Sequence, residues 1–210
     1  MPSSFPLFDL SPEAQREWLL HRLAQPIPPV AQGLSDGYRL PGREDRITPA
    51  AVLVPLVNRP GGLTVLLTQR SDTLSDHPGQ VSFPGGRLDP CDQSAVACAL
   101  REAQEEVGLA PDRVSVLGQL ARYETVTGYS VSPVVGWVEP PFDITLDPVE
   151  VADVFEVPLI FLMEPLNLQR HFRMIGPRRR DYFAIPFENR NIWGATAAML
   201  VMLDRTLRAE

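Results

Sequence analysis

Glu102, Glu105 and Glu106 stand within five residues of one another in the run Arg101-Glu102-Ala103-Gln104-Glu105-Glu106-Val107-Gly108-Leu109, shortly after Phe83-Pro84-Gly85-Gly86. At about 3.6 residues per turn, positions i, i+3 and i+4 of a helix project from one face. Three carboxylates on one face repel one another, so an ordinary surface helix has little reason to gather them. A hard divalent cation reverses that sign, because it takes oxygen ligands and supplies positive charge. These residue types therefore point to metal-assisted chemistry on a phosphate ester or anhydride. Such a linkage carries negative charge that repels a nucleophile; Mg²⁺ or Mn²⁺ shields it, orients it and activates water. Glu102 and Glu106, one turn apart, are the first candidate metal ligands. Glu105 is a candidate for a second metal or for activating water. Arg101 is expected to orient a glutamate through a charge-assisted hydrogen bond rather than to touch substrate. Gly85 and Gly86 let the backbone approach such a centre and are taken as substrate-binding, with the Gly86 carbonyl a candidate extra ligand. The competing reading of the carboxylates is a solvated acidic helix face.

These groups need a helix to space them and strands to hold the glycine loop. The helix is expected to start with Asp92 as N-cap and to stop at Gly108 as C′ glycine. Val96, Ala99, Leu100, Ala103 and Val107 would form its apolar face. Ala51 to Val57 is a continuous apolar run, as expected of a strand buried on both faces. Further strands are expected at Leu63 to Thr68, Val81 to Phe83, Val114 to Ala121, Val131 to Val138 and Val154 to Val157, with a helical turn from Pro158 to Met163. Phe172 to Ile175 and Asp181 to Pro186 read as a hairpin across Gly176-Pro177-Arg178-Arg179, and Ile192 to Leu207 as one helix. Strands and helices in this mixed order suggest an α/β or α+β sandwich with a mixed sheet.

Residues 1–49 read as an N-terminal helix and extended arm, and residues 50–210 as the domain proper. Ser11-Pro12-Glu13 is a helix start, with serine capping and proline at the first helical position. Trp18, Leu19 and Leu23 fit an amphipathic helix that ends at Pro26, Pro28 and Pro29. The arm serves either a homodimer contact or packing on its own domain.

The chain has 210 residues, a formal charge of −7 and 44% hydrophobic residues. That length suits one sizeable domain. The negative charge argues against nucleic acid as a partner. No apolar run is long enough to span a membrane, and no secretory signal is read at the N-terminus. All 19 basic residues are arginine, whose forked donors suit phosphate. Cys91 and Cys98 make no metal-ligand pattern, so a reducing, cytoplasmic setting is expected.

The run from Gly86 to Leu109 resembles the Nudix box, G-x5-E-x7-R-E-U-x-E-E-x-G-U, where U is apolar. Its second half is complete. In the first half Asp92 replaces the usual glutamate and eight residues precede Arg101, so a structural role is expected for Asp92. The stretches Leu66-Leu67-Thr68-Gln69-Arg70-Ser71, Gly79-Gln80, Phe83-Pro84-Gly85-Gly86, Asp89-Pro90-Cys91-Asp92, Thr127-Gly128-Tyr129, Pro133-Val134-Val135-Gly136 and Trp193-Gly194-Ala195-Thr196 resemble the coenzyme A pyrophosphatase branch of that family. Ser75 stands where the branch often has arginine. The resemblance covers roughly residues 50–205. It implies an α/β/α Nudix sandwich and Mg²⁺- or Mn²⁺-dependent hydrolysis of a small nucleotide substrate, coenzyme A or acyl-CoA. The products would be 3′,5′-ADP and 4′-phosphopantetheine or its acyl form. It also implies a further catalytic carboxylate from a late loop, with Glu150 the first candidate and Glu124 the second. Arg70 is a candidate phosphate ligand or half of a salt bridge. Arg178-Arg179-Arg180, near Arg170 and Arg173, is a candidate for the 3′-phosphate of coenzyme A, or a solvated hairpin tip. His77 reads as a loop hydrogen-bonder, and Phe83, Tyr123 and Tyr129 as core residues before adenine stackers. The alternatives are a Nudix diphosphatase of ADP-ribose or NADH, and a non-catalytic Nudix-like binding module.

Overall fold

The computed structural model describes residues 5–37, 47–74, 76–176 and 178–209. Ser75, part of the extended arm and the side chain of Arg178 lie outside the described residues.

Strand β1 (Thr48–Arg59) is the centre of the fold. Its apolar run feeds two cores: Ala50, Val54 and Leu56 face one, Ala51, Leu53 and Val57 the other. It pairs antiparallel with β2 (Gly62–Arg70) through the tight Pro60-Gly61 turn, and parallel with β7 (Tyr129–Val138). Short strands β3 (Val81–Ser82) and β4 (Gly85–Arg87) pair with β2 and β1. Strands β5 (Val114–Gln119) and β6 (Tyr123–Glu124) pair with β7, and β8 (Val151–Pro158) with β2. The result is an eight-stranded mixed sheet among the described residues.

Helix α2 (Ala95–Val107) covers one face through Cys98, Ala99, Ala103 and Val107. Helices α1 (Pro12–Leu23) and α4 (Ala195–Arg208) cover the other, with the single turn α3 (Leu159–Leu162). The α/β/α layering and the mixed sheet are as expected. Ser11 caps α1 by accepting from the Ala14 N–H at 3.4 Å. Leu7 and Leu19 are fully buried in the main core, so the start of the chain packs on the sheet.

A smaller antiparallel sheet of β9 (Gln169–Ile175), β10 (Arg178–Phe187) and β11 (Arg190–Trp193) stands beside the first. Here the structure corrects two expectations. Ile175 pairs with Arg178, so the arginine run belongs to a strand and not to the tip. The expected helix from Ile192 is split into β11 and α4, because Gly194 takes φ 63° and ψ −131° between them. Helix α4 is buried beyond one face, including Ala197, Leu200 and Val201, because the N-terminal segment and the small sheet both lie on it.

Candidate active site

The carboxylates and the glycine loop meet because β4 pairs with β1, Val52 opposite Gly85 and Ala51 opposite Gly86. A Cβ on Gly85, whose φ is 156°, would lie 2.6 Å from the Val52 Cα, and one on Gly86 would overlap the Glu102 carboxylate. The backbone itself demands glycine at 85, whereas a side chain at 86 would have to displace the Glu102 carboxylate. The Gly85 N–H donates to Glu106 Oε2 at 3.2 Å.

Helix α2 starts two residues later than expected, with Ser94 as N-cap accepting from the Ala97 N–H at 3.1 Å. Asp92 is engaged elsewhere: Arg101 grips it through Nη2 at 2.8 Å and Nε at 3.1 Å. That grip holds the Asp92 carboxyl down at about 2. The same guanidinium reaches Glu102 Oε1 at 3.0 Å and Glu105 Oε2 at 2.7 Å. Gly108 ends the helix at φ 73°, as its position predicts.

Glu106 is 4% exposed. Burial pushes its carboxyl up to about 8; the charges of Glu102 and Glu150 add to this, while the Gly85 N–H and Arg70 oppose it. Burial raises Glu102 as well, against the pull of Arg101. Glu150 is brought in by the loop before β8. The Asp147 N–H donates to the Glu106 carbonyl at 3.0 Å, and the Ser71 N–H to the Glu150 carbonyl at 2.8 Å. Arg70, the last residue of β2, forms no salt bridge among the described residues. Its Nη2 donates to the Asp76 carbonyl at 3.5 Å, and its buried Nε has no acceptor among the described residues.

These groups open onto a cavity of about 850 Å³. Arg70, Phe83, Gly85, Gly86, Glu102 and Glu150 form one part of its wall; Asp36, Thr127, Tyr129, Arg173 and Arg180 form another; Trp193, Thr196 and Met199 complete it. Glu106 lies behind Glu102 and Gly85. Glu105 is not in the wall; its side chain is 60% exposed and turned to Arg101. Arg179 is also outside the wall. Strand alternation puts it on the opposite face from Arg180, over the Phe172 ring at 4.4 Å and paired with Asp181 at 2.8 Å. Glu124 is not in the wall, and Tyr123 is buried beneath it. His77 meets Gln80 Oε1 at 3.2 Å, a loop contact as expected. Tyr129 Oη accepts from Arg87 Nη2 at 2.7 Å. Sequence reasoning missed Asp36, which sits in a proline- and glycine-rich arm with no periodicity to mark it.

The wall can bind a phosphate-bearing ligand and a hard cation. Among the described residues no three acidic, His or Cys side chains are gathered tightly enough to hold an ion as they stand. Two carboxylates suffice for Mg²⁺, which keeps waters and borrows phosphate oxygens. Glu106, buried near the Glu102 charge with a single N–H donor, fits such an ion. Among the described residues, no helix is long and apolar enough to cross a membrane.

The NUDIX domain description matches residues 47–170. An uncharacterized Nudix hydrolase, NudL, of Photorhabdus laumondii is 41% identical over 192 residues, covering 90% of this chain and 96% of its own. NudL of Escherichia coli K12 is 46% identical over 155 residues, covering 72% of this chain and 78% of its own. A solved Caenorhabditis elegans Ap4A hydrolase complex is 24% identical with a TM-score of 0.45, over 54% of this chain and 81% of that one. With the glycine loop and the Arg-Glu-x-x-Glu-Glu helix in place, the chain belongs to the Nudix hydrolase family.

Proposed function

We propose that this enzyme hydrolyses the diphosphate linkage of coenzyme A or an acyl-CoA, giving 3′,5′-ADP and 4′-phosphopantetheine or its acyl derivative. The supporting observation is that one cavity gathers Glu102, Glu150, Arg70, which has no salt bridge among the described residues, and separate stretches resembling the coenzyme A branch. Gln80, Phe83, Gly86, Thr127, Tyr129 and Trp193 come from four stretches of the chain and line the same wall.

Glu102 and Glu106 would hold Mg²⁺ or Mn²⁺ beside the Gly85–Gly86 loop. A bound divalent ion would neutralise the diphosphate and raise the acidity of nearby water. Arg70 donates to a phosphate oxygen with the N–H groups left free at the end of β2. Glu150 takes the proton from the attacking water, because it lines the cavity where Glu105 does not. Arg101 keeps Glu102 aimed at the loop and itself anchored on Asp92. Water adds to one phosphorus, the bridging P–O bond breaks, and the other phosphate leaves with the electron pair. A cytoplasmic setting suits this substrate and the two free cysteines.

The test is product analysis by chromatography and mass after incubation with coenzyme A and, separately, with ADP-ribose, each with Mg²⁺ or Mn²⁺. Release of 3′,5′-ADP is expected from coenzyme A. Intact coenzyme A alongside cleaved ADP-ribose would overturn the substrate assignment and leave the family membership standing. Binding of these nucleotides with no turnover of either would favour a non-catalytic module.

A further inference from the structure

Arg173 and Arg180 face each other directly across the β9–β10 hairpin, and both line the cavity. Like charges at opposed positions of an antiparallel pair stand about 5 Å apart at Cβ and destabilise the pairing. One of the two is compensated. Arg180 Nη2 meets Asp36 Oδ1 at 2.6 Å, and these side chains are 15% and 5% exposed. The Asp36 carboxylate is itself fixed by two further donors, the Tyr123 hydroxyl at 2.8 Å and the Val126 N–H at 2.6 Å. Arg180 still keeps a buried Nε with no acceptor among the described residues. Arg173, exposed and in the same wall, has no carboxylate partner among them. The wall thus carries a fixed arginine with donors to spare next to an uncompensated one. A compact dianion between them would relieve the repulsion and use the free donors.

We propose that Asp36 is a positioning residue for Arg180, and that Arg180 and Arg173 form a subsite for a phosphate monoester on the nucleoside part of the substrate, away from the bond that is cut. This deepens the coenzyme A reading and rests on it for the identity of the monoester. Asp36 and both arginines lie outside residues 47–170, the part that matches the NUDIX domain. The subsite is therefore an addition of this chain's arm and hairpin to the shared domain. Asp36 acts through Arg180: without its carboxylate the guanidinium loses the contact that keeps it in the wall.

The experiment measures binding of adenosine 3′,5′-bisphosphate and of AMP by calorimetry, for wild type, Asp36→Asn, Arg180→Gln and Arg173→Gln, with coenzyme A and dephospho-coenzyme A turnover in parallel. Wild type should bind the bisphosphate at least about 10-fold tighter than AMP, and each variant should bring the two within about threefold. In turnover, the loss should fall on KM for coenzyme A and far less on KM for dephospho-coenzyme A, with kcat for coenzyme A held. Thermal melts check folding; Arg173→Gln alters an exposed side chain and keeps the comparison usable if Asp36→Asn is too unstable. Equal binding of both nucleotides by wild type would overturn the subsite, whatever the enzyme cleaves. A preference intact in Asp36→Asn but lost in Arg173→Gln, or a bisphosphate bound more tightly by Asp36→Asn, would overturn the positioning role. A preserved preference without coenzyme A cleavage would overturn the proposed function instead and leave the subsite in place.

Discussion

Glu106 shows how a residue chosen for chemistry strains its surroundings. Its carboxylate is buried beside two others with one backbone N–H for company, and its carboxyl is pushed up to about 8 from an ordinary 4.5. A folded-state pKa raised in this way favours the protonated protein. Its stabilising contribution is present below pH 4.5 and is lost as pH rises through about 8. In the metal-free protein, Glu106→Gln should therefore melt progressively higher than wild type as pH rises from 5 to 8, by more than about 3 °C at the upper end. Added Mg²⁺ should raise wild type more than the variant. A gap between the two that does not change with pH would contradict the burial account. At this scale much was legible. The spacing of Glu102 and Glu106 follows from helix geometry alone, and the contact of Arg101 with a glutamate from its charge. The exposure of Glu105 does not, because i+3 and i+4 share a face only broadly and Arg101 at i−4 draws Glu105 outward. The alternation that turns Arg179 away and Arg180 inward was equally hidden, since it depends on where the hairpin turns.

At the scale of elements, the site depends on one short strand. Strand β4 has only three residues, and its pairing with β1 is what sets the glycine loop against α2. The two glycines are required for different reasons, so their alanine variants should fail differently. Gly85→Ala places a methyl against the Val52 backbone and should destabilise the protein by about 2 kcal/mol or more, seen as a lower denaturation midpoint. Gly86→Ala collides only with the movable Glu102 carboxylate. It should leave the melting temperature within a few degrees while cutting turnover about 10-fold or more, through misplacement of that group. Similar stability losses in both would refute the distinction. Long apolar runs such as Ala51–Val57 made β1 readable, whereas β4 and β6, two or three residues each, carry no periodicity. The start of α2 was misjudged because Asp92 is as good a cap by type as Ser94; a long-range grip by Arg101 took Asp92 away. At Gly194 it is the backbone conformation, φ 63° and ψ −131°, that marks the break between β11 and α4.

For the whole molecule, the described N-terminal segment is structural as well as local to the site. Leu7 and Leu19 are fully buried in the core shared by the sheet and α4, and Arg22 Nε donates to the Thr206 carbonyl at 2.7 Å. Leu19→Ala should cost about 2–5 kcal/mol, read by chemical denaturation; a cost under about 1 kcal/mol would mean that the helix is only loosely attached. The amphipathic pattern of Trp18, Leu19 and Leu23 predicted a helix but could not say what it covers, because the partner, α4, lies some 180 residues away in sequence. The proposal spans all three scales: that the carboxylates positioned by α2 and the loop before β8 serve the hydrolysis of coenzyme A with a divalent ion. Its most direct test is the rate of 3′,5′-ADP release from coenzyme A by wild type and Glu106→Gln across a Mg²⁺ series. The account predicts turnover that requires the ion and falls about 100-fold or more in a variant that stays folded. An unchanged rate in Glu106→Gln at saturating Mg²⁺ would contradict it.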